Sequence, residues 1–250
     1  MNKKIALVTN VLDYVGPPAV NALLEDGYKV VAQDAAFQDA VKQKDYKANH
    51  AGTVPLGLQD PKKLIQHVWD NYEKVDVLIS NDTFPAIHVP IEDANVEDLK
   101  ATIDNVLVYP FKLMQETIPR LKEQGSGNVI MVTSCRTELP LPGGAIPDVA
   151  RAGANALVKS LSIELAPFGI PVNAIAPNYL YSEAYFPKSK FIDDPTGREF
   201  IRDVVPAGRL GEPEEIGELV SYLANMKGSF HSGTIIKFAG GWPAAPKRPI

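Results

Sequence analysis

One cysteine, Cys135, in 250 residues excludes an internal disulfide and any zinc site built on several thiolates. No apolar run approaches the length of about 18 residues that spans a bilayer. There is no basic excess either. Lys and Arg total 25 against 30 Asp and Glu, a formal charge of −5, so no positive field is available to hold nucleic acid. The first apolar run, Ile5–Val8, is too short for the core of a secretory signal and reads as a strand, so a soluble cytoplasmic protein is expected. The four histidines, His50, His67, His88 and His231, show no ligand spacing, and no metal is expected.

The residues present suit a globular chain. About 45% are hydrophobic and 22% charged, enough for a sizeable core, and the length suits one domain over residues 1–250. Short apolar runs alternate with helical segments. Strands are expected at 5–8, 28–32, 53–56, 75–80, 128–133, 171–176 and 234–238. Helices are expected at 17–26, 37–44, 61–72, 148–168 and 212–225. A longer helical stretch at 96–121 should kink at Pro110, or end its first half there. Leu157, Leu161 and Leu165 form one stripe, and Gly169 stops that helix. The near-continuous apolar run at 75–80 suits a strand covered on both faces. This alternation predicts an α/β fold, a single doubly wound parallel sheet in three layers. Residues 178–198 are predicted irregular and rich in aromatics, including Tyr179, Tyr181, Tyr185 and Phe186. They follow a strand's carboxyl end, where open sheets bind ligands.

The turn after the first strand is short of glycine. A dinucleotide needs glycines there, for a tight turn and for close approach of backbone to pyrophosphate. This turn reads Thr9-Asn10-Val11-Leu12-Asp13-Tyr14-Val15-Gly16. Tyr14 places a ring where bare backbone is needed, and Asp13 adds negative charge. No nicotinamide cofactor is expected. Asp34, at the end of the second strand, is expected to cap the following helix rather than hold a ribose.

Ser134 ends a strand and Arg151 lies 17 residues on, in the first turn of the next helix. The strand order, Ser80-Asn81-Asp82, Pro177-Asn178 and the late Gly240-Gly241 resemble the short-chain dehydrogenase/reductase superfamily along the whole chain. Within it, Thr9-x4-Tyr14-x-Gly16, the arginine at 151 and Pro177-Asn178-Tyr179-Leu180 resemble the halohydrin dehalogenases. That resemblance implies a cofactor-independent enzyme whose partners are small molecules and small anions. It would convert a vicinal haloalcohol to an epoxide and halide, and open epoxides with small anions. It also implies that Ser134 binds the substrate oxygen and that Arg151 lowers the pKa of a tyrosine base. A halide pocket would replace the nicotinamide space, bordered by Tyr14, Pro177, Asn178 and Tyr179, with donors from the backbone N–H groups near Asn178 and Tyr179. Tyr185 reads equally as pocket wall or loop anchor, and Phe84 as substrate wall or core. Asn105 reads as a residue of the helix kink and Trp242 as a core or interface aromatic. The superfamily resemblance further implies a homodimer or homotetramer, paired through the helices at 96–121 and 148–168.

One position departs from the pattern. Thirteen residues after Ser134, where the superfamily carries its tyrosine, stands Pro147. Proline has no ionisable group, and a guanidinium stays protonated. A positioned base is worth about 10²–10⁴ in rate. Three explanations stay open at this stage: a natural loss, an engineered change, or compensation by another tyrosine. Two other functions compete with the dehalogenase: a nicotinamide-dependent oxidoreductase, and a catalytically silent binding or assembly protein.

Overall fold

The computed structural model describes residues 3–245. Seven parallel strands form one sheet in the order β3-β2-β1-β4-β5-β6-β7. They are β1 (Ile5–Val8), β2 (Lys29–Gln33), β3 (Thr53–Leu56), β4 (Val77–Asn81), β5 (Val129–Val132), β6 (Val172–Pro177) and β7 (Ile235–Phe238). The connections reverse direction between β1 and β4, which opens a crevice at the carboxyl ends of these strands.

Side chains along each strand alternate between two cores. Ala6, Val8, Val30, Ala32, Val77 and Ile79 face α1 (Gly16–Glu25) and α9 (Pro213–Ala224), meeting Val20, Leu23, Ile216 and Val220. Ile5, Leu7, Val31, Leu78, Val129 and Met131 face the other way. There they meet Leu64 and Val68 of α3 (Pro61–Tyr72), Leu113 and Leu121 of α5 (Tyr109–Gln124), and Val158 and Leu165 of α6 (Ala145–Leu165). Burial on both faces is why the strands read as apolar runs rather than as alternating ones. The sheet, the three layers and the doubly wound topology agree with the sequence reading. Among the described residues, no helix is long and apolar enough to cross a membrane, and no group of three His, Cys, Asp or Glu could hold a metal ion.

Several elements differ from expectation. The 96–121 stretch does end its first half ahead of Pro110, but through a widened turn rather than a kink at the proline. It is α4 (Val96–Ile103), then a π-helical turn at Asp104–Val108, then α5. Pro110 sits near the start of α5, where its missing N–H costs little, and the widened turn upstream absorbs the irregularity. Asn105 lies in that turn, exposed, with its amide donating to the Ala101 carbonyl at 2.8 Å. The 37–44 helix is instead a short 3₁₀ turn followed by α2 (Ala40–Asn49), which Asp39 caps. The 178–198 stretch is not wholly irregular. It contains α7 (Lys188–Phe191) and the start of α8 (Pro195–Val204), whose amino end is capped by Asp194. The capping signal Asp194-Pro195-Thr196 was present in the sequence. Helix α6 begins three residues earlier than expected, with Pro147 inside its first turn.

Candidate active site

Ser134 and Arg151 converge on a cavity of about 120 Å³ at the carboxyl ends of β5 and β6. Tyr14, Pro147, Pro177, Asn178 and Tyr185 also line it, together with Thr133, Arg136 and His88. The fold dictates this meeting. Ser134 follows β5, Arg151 stands in the second turn of α6, and Pro177 ends β6, the neighbour of β5.

The Ser134 hydroxyl donates to the Pro177 carbonyl at 3.2 Å and accepts the Arg136 amide at 3.2 Å. The Asn155 side chain, one turn beyond Arg151, donates to the Ser134 carbonyl at 2.9 Å and fixes the loop. Arg151 is buried. It donates from Nη1 to the Val132 carbonyl and from Nη2 to the Tyr185 hydroxyl, both at 3.3 Å, and forms no ion pair among the described residues. Buried charges are ordinarily paired; this guanidinium has no carboxylate in contact among the described residues and brings positive charge to the cavity. Asp82 is also buried, but its carboxylate takes the Ser80 hydroxyl at 2.6 Å. Burial pushes the Asp82 carboxyl up to about 7, against the Ser80 hydrogen bond and the Arg151 charge, both of which favour ionisation. Arg136 pairs with Asp148, which is thereby withdrawn from any proton-accepting role.

Tyr14 stands in the left-handed region at φ +53 and packs its ring edge-on to Tyr185, with centroids 4.8 Å apart. Burial pushes its phenol far above the usual tyrosine range, only partly countered by Arg151.

Three site expectations need correction. The Asn178 N–H donates to the Phe238 carbonyl at 3.0 Å, and the Tyr179 N–H to the Asn178 side-chain oxygen at 3.0 Å. Neither is free to receive a halide, because both hold the β6 exit in shape. The Tyr179 ring does not line the cavity. It is buried with Phe186 and Trp242, against an adjoining aromatic cavity of about 340 Å³. Trp242 is therefore a core aromatic. Phe84 brings backbone rather than its ring: its N–H and carbonyl both bond the Tyr185 hydroxyl, at 3.2 and 2.9 Å.

The sequence reading missed His88 and Arg136. His88 was set aside for want of metal spacing. Its imidazole instead borders the cavity, with Nε2 3.3 Å from Arg136 Nη1. Burial and the Arg136 charge lower its pKa. The available signal was positional, since both residues follow the carboxyl ends of central strands.

Nucleotide-binding relatives seat pyrophosphate on the free N–H groups at the start of the first helix. The residues here do not fit that group. In α1 the Gly16 N–H is bonded to the Asp13 carbonyl, Pro17 and Pro18 have no N–H, and the Ala19 N–H bonds Val15. The sequence signal is Pro17-Pro18. A β-carbon on Gly16 would stand 2.5 Å from the Asn10 carbonyl, so the turn already lies tight on the helix.

Comparison with known proteins bears on this geometry. A family model described as enoyl-(acyl carrier protein) reductase matches residues 15–243. The chain belongs to the short-chain dehydrogenase/reductase superfamily. It is 28% identical to the human dehydrogenase/reductase SDR family member 4, over 96% of this chain and 88% of that protein. Among solved structures it is similar to a halohydrin dehalogenase (HheC) bound to ethyl (2S)-oxiran-2-ylacetate. The identity is 32%, the TM-score 0.95, and the match covers 98% of this chain and 100% of that one. It is also similar to a protein described as a dehalogenation enzyme, at 29% identity and TM-score 0.92 over 96% and 98% of the two chains.

Proposed function

We propose that this superfamily member is a cofactor-independent halohydrin dehalogenase, acting on small vicinal haloalcohols and, in reverse, on epoxides with small anions. The observation that carries the reading is the buried Arg151, without an acid partner, in a cavity of about 120 Å³. Sites for drug-sized ligands usually measure about 300–1,000 Å³, so this cavity suits a small haloalcohol and its halide, while a dinucleotide is disfavoured by the lack of free donors at the start of α1. The two dehalogenase-type structures support the same reading.

In this scheme Ser134 orients the substrate oxygen. Its hydroxyl gives up the 3.2 Å bond to Pro177 and donates to the alcohol. Arg151 supplies fixed positive charge, set before reaction in a partly dry site, where such charge acts most strongly on developing negative charge. Tyr14 and Tyr185, packed edge to face against one another, both line the cavity, and the positive rim of an aromatic ring is the part that suits an anion of halide size. Thr133 and Arg136 each carry a buried polar atom beside the cavity, Oγ1 and Nη2, without a hydrogen-bond partner among the described residues. These are the donors available to a halide now that the Asn178 and Tyr179 amides are committed.

Bromide release from bromoethanol tests the reading, paired with calorimetry against NAD(H) and NADP(H). Halide release without nucleotide binding is expected. Low-micromolar nucleotide binding would overturn it and favour the oxidoreductase that the human relative's name describes.

A further inference from the structure

Conversion of an alcohol to an epoxide needs a proton acceptor, and Pro147 is none. The ionisable groups around the cavity narrow the choice. Tyr14 is held protonated by burial. Asp148 is paired to Arg136. An arginine donates only, so at His88 the Nε2 lone pair accepts the Arg136 hydrogen bond and neutral His88 carries its proton on Nδ1. With Arg136 donating to it, and with burial and the Arg136 charge lowering its pKa, that nitrogen is a poor proton acceptor. Asp82 is not among the residues lining the cavity.

Tyr185 remains. It lines the cavity and reaches it from the loop after β6 rather than from α6. That loop is pinned: Ser182 is buried, its hydroxyl accepts the Tyr185 N–H at 3.3 Å, and its carbonyl accepts the Phe186 N–H at 2.9 Å. Two donors converge on the Tyr185 oxygen, Arg151 Nη2 at 3.3 Å and the Phe84 N–H at 3.2 Å. Both contacts persist when the phenol has lost its proton. The one acceptor, the Phe84 carbonyl at 2.9 Å, holds that proton at rest. Resting on the dehalogenase reading, we propose that Tyr185, held against Arg151, is the catalytic base in place of a side chain at position 147.

The step balances. Tyr185 first releases its proton to solvent. The phenolate oxygen then takes the hydroxyl proton of the haloalcohol. The alkoxide oxygen attacks the neighbouring carbon, forming the C–O bond of the epoxide as the C–halogen bond breaks, and the halide leaves with the electron pair. In ring opening the Tyr185 phenol returns the proton.

The test compares wild type, Tyr185→Phe, Pro147→Tyr and the double variant, by bromide release from bromoethanol, with thermal midpoints confirming folding. Tyr185→Phe keeps the ring edge on Tyr14. It should lower kcat by about 10²-fold or more with KM little changed, and Pro147→Tyr in that background should restore much of the rate. A Tyr185→Phe rate within about threefold of wild type would overturn the proposal and leave the dehalogenase reading standing. An inert wild type made active by Pro147→Tyr would overturn it as well, by showing a pocket without its base. If wild type and Pro147→Tyr are both inert, the dehalogenase reading fails and the proposal with it.

Discussion

Asp34 Oδ2 accepts the Leu12 N–H at 3.1 Å while Oδ1 accepts the Ala36 N–H at 3.0 Å, so one carboxylate ties the end of β2 to the turn after β1. Both of its oxygens are engaged in the fold. A ribose would have to displace a bond that shapes the very turn over which a nucleotide would lie.

Tyr14→Gly is therefore expected to leave the protein without nicotinamide affinity. Glycine suits the φ of +53 at this position. The amino end of α1 would still lack donors, because Pro17 and Pro18 are unchanged. Calorimetry showing micromolar NAD(H) binding by this variant would contradict the donor argument.

Arg151→Met should separate anion binding from stability. An unpaired buried charge is costly, so replacing it with an apolar side chain of similar length should leave the thermal midpoint equal or higher. Bromide should raise the midpoint of wild type, by about 2.7 kcal/mol of stability at 100 times its Kd. It should not raise that of the variant. Melting curves with and without bromide decide it.

The Asp82 carboxyl, pushed up to about 7 by burial, sets a pH dependence of known sign. Between the unfolded value near 4 and the folded value near 7 the native state binds more protons, so stability falls as pH rises through that window. Asp82→Asn should flatten the profile from pH 5 to 8 and raise the midpoint at pH 8, with about 2–4 °C for each kcal/mol recovered. A profile unchanged by the substitution would show that another group carries the dependence.

Gly16→Ala should destabilise, by about 1–3 kcal/mol, because the added carbon meets backbone at Asn10 and Val11 rather than a movable side chain. Urea unfolding reads the loss directly.

Self-association is proposed through the outer faces of α4 to α6. Val96, Phe111, Val149 and Ile163 are exposed there, Ile163 at 76%. Ile163→Arg should lower the mass seen by light scattering. A wild-type chain that is monomeric at micromolar concentration would refute the proposal.

The sheet was legible because two-sided burial writes itself into each strand as an apolar run, and Ser134 and Arg151 were legible through their spacing. Other features were not. The commitment of the Asn178 amide depends on β7, some 60 residues away in sequence, and no local pattern reports it, whereas the Tyr179 amide is taken by the neighbouring Asn178 side chain. The approach of Tyr185 to Arg151 depends on how a long loop folds back. The π-helical turn at 104–108 was hidden because Pro110 offered a simpler reason for the same irregularity.

That turn has a mechanical consequence. It carries the equivalent of one extra residue, and each residue advances a helix by about 100°. Helices α4 and α5 are thus out of phase by design, and the offset sets Leu107 over Gly153, where a β-carbon would meet its methyl at 2.7 Å. Gly153 lies between Arg151 and Asn155, the two α6 side chains that reach the cavity loop and the phenol. Deleting one residue from 104–108 would make a straighter helix, yet it would rotate Leu107 off its seat and free α6 to slide. The irregular turn behaves as a shim, setting the depth at which the guanidinium enters the site.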